Sequence, residues 1–221
     1  MLSSLAFPAR LRRVSVAALF ALTAAALVLS GHRGEPRAAA AADVFRVASG
    51  SYVGTGTARP VSVGFEPALV IVKRSTHTVR FVRASGMTAS KPFGSSGAAS
   101  DGVIDALTDT GFDIGTDVGA NKRGSIYYWT AFGAAPDVMV VGSYAGNGTA
   151  IEVTTGFKPA LVMVINSQRD QNVTLRFGDQ TGDASVFGAS ASAATRHVTA
   201  LTESGFTVGS ADDVNESGET L

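Results

Sequence analysis

Three kinds of residue in this chain could do chemistry, and histidine is the first. His77 and His197 are the two histidines outside the first forty residues, and neither has a second histidine or a cysteine at a metal-ligand spacing. The chain contains no cysteine and no H-E-x-x-H or G-x-S-x-G motif. The sequence therefore predicts no metal and no cofactor. The two histidines are interpreted as solvated or strand-surface residues.

Acidic residues are the second kind, and they form two groups. Asp113 and Asp117 make the first group, and Asp212, Asp213 and Glu216 make a denser second one. A pair of carboxylates would suit a glycoside hydrolase, and a run of acidic residues would suit a Ca²⁺ loop. The spacings match no calcium signature, and exposed turns commonly carry aspartate. We predict no catalytic residue and a protein that is not an enzyme.

Aromatic residues are the third kind, because sugar-binding sites often stack a sugar ring on an aromatic side chain. Strand alternation places Tyr127 and Trp129 on one face of a segment, and Tyr128 and Phe132 on the other. One face must be core, and the other could be a ligand platform or a packing interface. The candidates for a binding site are Tyr127, Trp129 and Asn121. Core packing is the alternative for the rings, and a turn is the alternative for the asparagine.

The segments that position these residues occur in an internal repeat, so the chain contains two copies of them. The stretch GSYVGTGTARPVSVGFEPALV begins at Gly50, and GSYAGNGTAIEVTTGFKPALV begins at Gly142, 92 residues later. From Ala106 onwards the two copies match at a spacing of 94. Two residues have therefore entered the second copy, at positions that correspond to 72–79 of the first. Loops tolerate such insertions far better than strands do.

The periodicity inside each copy is that of β structure. Predicted strands cover 61–65, 68–72, 79–81, 103–108, 112–115 and 125–132 in the first copy, and 160–165 and 173–177 in the second. The runs 68–72 and 160–165 are continuously apolar, which indicates strands buried on both faces. Stretches 85–100 and 179–194 are predicted to be surface loops, and no segment has the period of an amphipathic helix. The expected fold is all-β, with two tandem antiparallel β-sandwich modules of the jelly-roll-like type.

The predicted domains are a signal peptide (1–42), a first module (43–133) and a second module (134–221). By the spacing of 94, Leu221 corresponds to Tyr127, so we expect the second module to lack its last strand. Two explanations stay open. The sequence is a fragment of a longer one, or another chain or segment supplies the strand by β-strand addition. The second explanation predicts self-association through the incomplete module.

The first 42 residues have the layout of a secretory signal peptide. A basic region with three arginines precedes an apolar run over 16–29, and small residues at 38–42 offer cleavage before Asp43. The segment carries five arginines and one acid, so the mature chain has a formal net charge of −4. That charge argues against nucleic acid as a partner, and no apolar stretch is long enough for a membrane span. We expect a secreted protein, either extracellular or periplasmic.

The repeated motifs are G-x-Y-x-G-x-G-T, G-F-x-P-A-L-V, G-F-x-[IV]-G and N-x-x-G, and the first copy ends in Y-Y-W-T-A-F. This pattern resembles repeats in bacteriophage tail-fibre-type and secreted bacterial proteins. More distantly, it is similar to the sandwiches of H-type lectins. The resemblance covers about 50–133 and 142–221, and it rests on turn glycines and core positions. It implies a β-sandwich that binds or adheres to surfaces, without implying particular ligand residues.

Three functions follow from these observations, in order of preference. The first is non-enzymatic binding or adhesion at a cell surface or in the extracellular matrix, with a glycan or another cell-surface polymer as the partner. The second is a structural or assembly role in an extracellular fibre or envelope. The third is a secreted hydrolase.

Overall fold

The computed structural model describes residues 44–94, 97–187 and 193–221. The predicted signal peptide lies outside the described residues. The first copy contains β1 (Val47–Val53), β2 (Arg59–Ser62), β3 (Leu69–Arg74), β4 (Arg80–Ala84), β5 (Lys91–Phe93), β6 (Ile104–Thr108), β7 (Gly111–Ile114), α1 (Val118–Asn121) and β8 (Ile126–Phe132). The second copy contains β9 (Ile151–Thr154), β10 (Leu161–Val164), β11 (Thr174–Phe177), β12 (Val186–Phe187), β13 (Val198–Thr202), β14 (Gly205–Val208) and α2 (Asp212–Asn215). The prediction of an all-β chain is confirmed.

Two antiparallel sheets make up the first copy. The larger sheet has the strand order β1-β8-β3-β4-β5, and the smaller has the order β2-β7-β6. The aromatic strand β8 lies between β1 and β3, so the first and last strands of the copy are neighbours. Their register pairs Val47 with Phe132 and Val53 with Ile126. Non-local pairing of this kind holds the beginning and the end of the copy together.

The second copy repeats the strand pairings of the first. Its sheets have the orders β10-β11-β12 and β13-β14-β9, which match β3-β4-β5 and β6-β7-β2. The counterpart of the β1–β8 pair is short: Tyr144 and Leu221 exchange backbone hydrogen bonds of 2.9 Å in both directions, and Ala145 forms a bridge with Thr220. Within the described residues, β10 therefore pairs only with β11, whereas β3 pairs with both β4 and β8.

Three details of the sequence-based expectation differ from the structure. The predicted surface loops 85–100 and 179–194 contain the short strands β5 and β12, which extend the sheets. The one-turn helices α1 and α2 were not predicted, because four residues are too few to show a helical period. The strands β3 and β10 are buried on one face only. Alternate residues of β3 remain half-covered on the other face, and Leu161 of β10 is 49% exposed.

Each copy has its own hydrophobic cluster, although the described residues belong to one compact unit. Strands from both sheets of the first copy contribute to its cluster, which includes Val72 and Phe112. The second cluster, which includes Val164 and Phe206, lies between residues 144 and 221. The matched Phe112 and Phe206 are buried, whereas Phe65 and the corresponding phenylalanine in the second copy are only half-buried. The sandwich arrangement and the domain boundary at 133 stay predictions.

A fully buried asparagine joins three segments at one end of each copy. In the first copy, the Oδ1 atom of Asn121 accepts a hydrogen bond of 2.8 Å from the backbone N–H of Thr55. Its Nδ2 atom donates to the carbonyl oxygens of Thr57, at 2.8 Å, and Gly115, at 2.6 Å. The asparagine thus satisfies backbone groups that the strand ladders leave unpaired.

The second copy makes the same connections through Asn215. Its Oδ1 atom accepts from the backbone N–H of Asn147 at 2.8 Å, and its Nδ2 atom donates to the carbonyl oxygens of Thr149 and Gly209. Both asparagines occupy the last position of a one-turn helix. The N-x-x-G motif predicted that these asparagines shape a turn. In the structure, each asparagine also joins three segments of its copy through side-chain hydrogen bonds.

The backbone also approaches closely next to each asparagine. A Cβ atom on Gly54 would collide with the carbonyl oxygen of Lys122, and one on Gly146 would collide with that of Glu216. Only glycine lets the chain pass at this distance. Close backbone packing therefore explains the first glycine of each G-x-G motif, which is Gly54 in the first copy and Gly146 in the second.

No helix in the described part of the chain has the length and apolar character needed to cross a membrane.

We expect Asn121→Ala and Asn215→Ala each to lower the free energy of unfolding by more than about 2 kcal/mol, because each leaves several buried backbone groups without a partner. Urea unfolding measures this change. Asn147→Ala is the matched control, since Asn147 is exposed and its side chain makes only local hydrogen bonds. A loss no larger than that of the control would contradict the structural role of the buried asparagines.

Candidate ligand-binding pocket

The structure places two of the predicted aromatic candidates in the core. Tyr127 is fully buried and stacks on Tyr52 with ring centroids 5.1 Å apart. Its hydroxyl donates to the carbonyl oxygen of Val118 at 3.0 Å and accepts from the backbone N–H of Lys122 at 2.9 Å. Trp129 is buried and meets the cluster of the first copy edge to face. Neither ring offers a face to a ligand.

Asn121, the third candidate, is fully buried and bonded to backbone groups, as described above. The exposed aromatic residue of β8 is Tyr128, whose side chain is 56% accessible. It lies on the outer face of the large sheet, opposite Ser51 of β1 and Lys73 of β3. Tyr128 is not among the residues that line the cavity described below.

The predicted acidic groups do not form a metal centre. Within 44–94, 97–187 and 193–221, no group of three or more histidine, cysteine or acidic residues is arranged to hold an ion. The carboxylate of Asp117 accepts a hydrogen bond of 2.6 Å from the backbone N–H of Gly119, at the start of α1. This aspartate is the N-cap of the one-turn helix, which is a common role for the residue.

The two histidines lie in different environments. His197 is buried, and its Nδ1 atom is 2.8 Å from the carbonyl oxygen of Thr195. Its Nε2 atom is 3.4 Å from a carboxylate oxygen of Asp213. The interpretation of His197 as a strand-surface residue is therefore wrong. His77 is exposed, and its Nδ1 atom accepts a hydrogen bond of 3.2 Å from the backbone N–H of Val79. In the neutral form this leaves the proton on Nε2.

His77 borders an open cavity of about 390 Å³, which we call the basic pocket. Its volume is within the range of about 300–1,000 Å³ that is typical of small-ligand sites. Four segments of the first copy meet around it: the end of β3, the loop that follows, the beginning of β4, and α1 with the residue after it. The lining residues are Arg74, His77, Val79, Phe81, Val118, Gly119 and Lys122.

The floor of the basic pocket is apolar. Phe81 is half-buried, and Val118 on the rim is 67% exposed. Gly119 allows the helix backbone to lie against the phenylalanine ring, because a Cβ atom at this position would be 2.7 Å from Cε2 of Phe81. Any side chain here would push the ring away or fill the cavity. The pocket therefore depends on glycine at position 119.

The rim of the basic pocket is cationic. Arg74, Lys122 and His77 all line it, and none of the four ion pairs found in the described residues includes any of the three. The Nε atom of Arg74 is buried and has no hydrogen-bond partner there. Within the described residues, no ion pair balances the positive charges of Arg74 and Lys122.

The corresponding region of the second copy has the opposite charge. Glu216 stands where the first copy has Lys122, and Asp212 and Asp213 stand where it has Val118 and Gly119. The loop that contains the two inserted residues brings Arg169 to this place. Its guanidinium lies 3.3 Å from a carboxylate oxygen of Glu216 and also pairs with Glu219. The second copy thus contains its own counter-ion. We call this group the acidic cluster, and it comprises Asn166, Arg169, Asp212, Asp213, Glu216 and Glu219.

A buried lysine of the first copy holds the loop of Arg169. Lys91 of β5 is fully buried, and its Nζ atom donates a hydrogen bond to the backbone carbonyl of Arg169. Burial lowers the pKa of Lys91, while the carboxylates of Asp170 and Asp213 oppose that shift. A lysine is rarely buried unless its charge is compensated. Here a carbonyl oxygen and two carboxylates provide the compensation.

Sequence reasoning missed the basic pocket because its residues come from separate segments. The concentration of positive charge in 73–83 was visible, but a ligand site requires the cavity as well. Comparing the two copies position by position carried the strongest signal. A lysine at 122 against a glutamate at 216 is a reversal of charge between otherwise corresponding positions.

Acid is expected to weaken the acidic cluster. Burial raises the pKa of Glu219, but hydrogen bonds from Arg169 and Asn166 and the charge of Arg169 lower it below its ordinary value of 4.5. The carboxylate therefore stabilises the fold above about pH 4.5, and this stability is lost as the pH falls through the lower pKa of the folded state. Unfolding free energies measured from pH 7 to pH 3 should fall less steeply for Glu219→Gln. Glu152→Gln, an exposed glutamate outside the cluster, is the control, and equal slopes for both variants would contradict the assignment.

Comparison with known proteins finds no family model, no curated protein and no solved structure that matches this chain.

Proposed function

We propose that the protein is a secreted, non-enzymatic binding or adhesion protein that recognises a glycan on a cell surface through the basic pocket. The observation that carries this proposal is the open cavity of about 390 Å³, whose largely apolar lining includes Phe81 together with Arg74, His77 and Lys122. Secretion is supported by the layout of the first 42 residues. The repeated motifs that resemble surface-binding repeats point in the same direction.

The chemistry of the pocket fits a sugar ring. One face of a pyranose is formed by C–H groups, which pack against aromatic and aliphatic side chains, as Phe81 and Val79 provide. The hydroxyl groups around the ring need partners, and Arg74, Lys122 and His77 supply N–H donors at the rim. A few polar groups around an apolar floor are typical of small-molecule sites.

The lining residues favour binding over hydrolysis. Glycoside hydrolysis commonly uses two carboxyl groups that flank the scissile bond. The side chains that line the basic pocket include no carboxyl group, and the carboxylate of the nearby Asp117 is engaged as a helix cap. A glycan held in this pocket would therefore meet cationic donors and no acid–base pair.

Filling the basic pocket should abolish glycan binding. Val118→Trp places a bulky side chain on the rim without disturbing the core, because Val118 is mostly exposed. On a glycan array, the mature wild-type protein should bind one set of glycans, and the variant should lose at least about tenfold in affinity for them, since the cavity no longer admits a ring. Val138→Trp, an exposed valine outside the pocket, is the control. Undiminished binding by the Val118 variant would place the site elsewhere.

A structural or assembly role is the second candidate function, and the edge of β10 favours it. In the first copy, β3 is covered on this side by β8, with Val70 opposite Ala131 and Val72 opposite Trp129. The described residues place no strand at the corresponding edge of β10. Unpaired strand edges are sites of strand addition. We infer that this edge accepts an extended antiparallel strand with the aromatic and small residues of β8.

A peptide with the sequence of residues 125–132 tests this edge. Bound antiparallel to β10, it should slow amide hydrogen exchange at Leu161 and Met163, whose N–H groups point away from β11. Strand β3 is the internal control, because both of its edges are already paired. A peptide of the same composition in scrambled order should have no effect. If exchange in β10 is the same with and without the peptide, the edge does not accept this strand.

A further inference from the structure

The charges around the basic pocket indicate the chemical class of its ligand. The basic pocket and the acidic cluster occupy corresponding positions, since Arg74 matches Asn166 and Lys122 matches Glu216. In the acidic cluster, the anionic side chains hold a guanidinium that the longer loop supplies, with Glu216 and Arg169 3.3 Å apart. The corresponding region of the first copy is lined by Arg74 and Lys122. The loop after β3 is two residues shorter than the loop that carries Arg169 in the second copy.

We propose that the basic pocket binds a carboxylated sugar, such as a uronic acid residue within a polysaccharide. The carboxylate takes the place that Arg169 has in the second copy, with the charges reversed, and the ring of the sugar lies on the apolar floor. This inference rests on the proposed function, because it specifies the glycan that the pocket takes.

The three polar side chains of the rim suit a carboxylate in different ways. The guanidinium of Arg74, which lines the pocket, is a planar fork that can bind both oxygens of a carboxylate. Lys122 is exposed and provides a mobile positive charge at the rim. The Nδ1 atom of His77 is occupied by the backbone N–H of Val79, so Nε2 is the nitrogen that can donate to a ligand.

The apolar floor distinguishes this site from a general anion site. Inorganic phosphate or sulfate would meet the cations but would leave Phe81 and Val79 uncovered. A uronic acid covers both parts, because its carboxylate and the C–H face of its ring belong to one molecule. We therefore expect acidic oligosaccharides to bind more tightly than simple anions and more tightly than neutral oligosaccharides.

The experiment compares three probes on the mature protein by calorimetry. These are an oligogalacturonate, a neutral oligosaccharide of the same length, and inorganic sulfate. The oligogalacturonate should bind, and its affinity should fall with rising salt because charge contributes to binding. A sulfated oligosaccharide separates a preference for carboxylate from a preference for any anionic sugar. Sulfated sugar bound more tightly than the uronate would overturn the assignment to carboxylate.

Variants of the rim residues test which side chain supplies the positive charge that binds the oligogalacturonate. Lys122→Gln should weaken oligogalacturonate binding by about tenfold, as expected for one lost charge-assisted contact, and Lys122→Glu should weaken it further. Arg123→Gln is the matched control, because Arg123 is exposed, adjacent in sequence and not part of the pocket lining. His77→Gln retains an N–H donor at the rim and should have a smaller effect than Lys122→Glu. Thermal melting of each variant confirms that it is folded.

The outcomes separate this inference from the proposed function. Binding of neutral glycans with equal or higher affinity than the oligogalacturonate would leave glycan recognition in place and overturn the acidic class. Binding of oligogalacturonate that is unchanged in both Lys122 variants would show that the charge acts elsewhere. Absence of binding to every glycan, acidic or neutral, would overturn both.

Discussion

The rest of each copy depends on the buried amide of one asparagine. Asn121 bonds to the loop after β1, to the residue after β7 and, through its own backbone, to α1. Hydrogen bonds of this kind are worth little individually, but leaving their buried partners unsatisfied is expensive. The amide therefore fixes where α1 lies. Since α1 carries Val118 and Gly119, and Lys122 follows directly, one wall of the basic pocket is positioned by a residue that does not line the pocket itself.

The same backbone arrangement carries positive charge in the first copy and negative charge in the second. This is possible because the atoms that define the arrangement are not the atoms that carry the charge. Backbone groups, glycines and one buried amide define the arrangement in both copies. The charged groups lie at the solvent side of it, where substitution costs little stability. Lys122 in one copy and Glu216 in the other need no change in the path of the chain. A longer loop then decides whether the position is filled by the protein itself, as it is with Arg169.

The sequence predicted the all-β class and the approximate positions of most strands, because their residues alternate or form short apolar runs. It could not decide which face of β8 is buried, since Tyr127 and Tyr128 are the same residue type on opposite faces. The basic pocket could not be predicted from the sequence, for a different reason. Arg74, His77 and Lys122 come together only through the tertiary fold, and no local period marks them.

The neighbouring positions of β1 and β8 have a mechanical consequence. The two strands are antiparallel, and Val47 is paired with Phe132, so the chain enters and leaves this copy at the same end of the same pair of strands. A pulling force applied through the two flanking segments acts across the strands rather than along them. It therefore loads the hydrogen bonds between β1 and β8 one pair after another, starting at Val47 and Phe132, and never all at once. Under tension, β1 therefore separates from β8 at low force. The chain lengthens gradually, because the hydrogen bonds do not all break at the same moment.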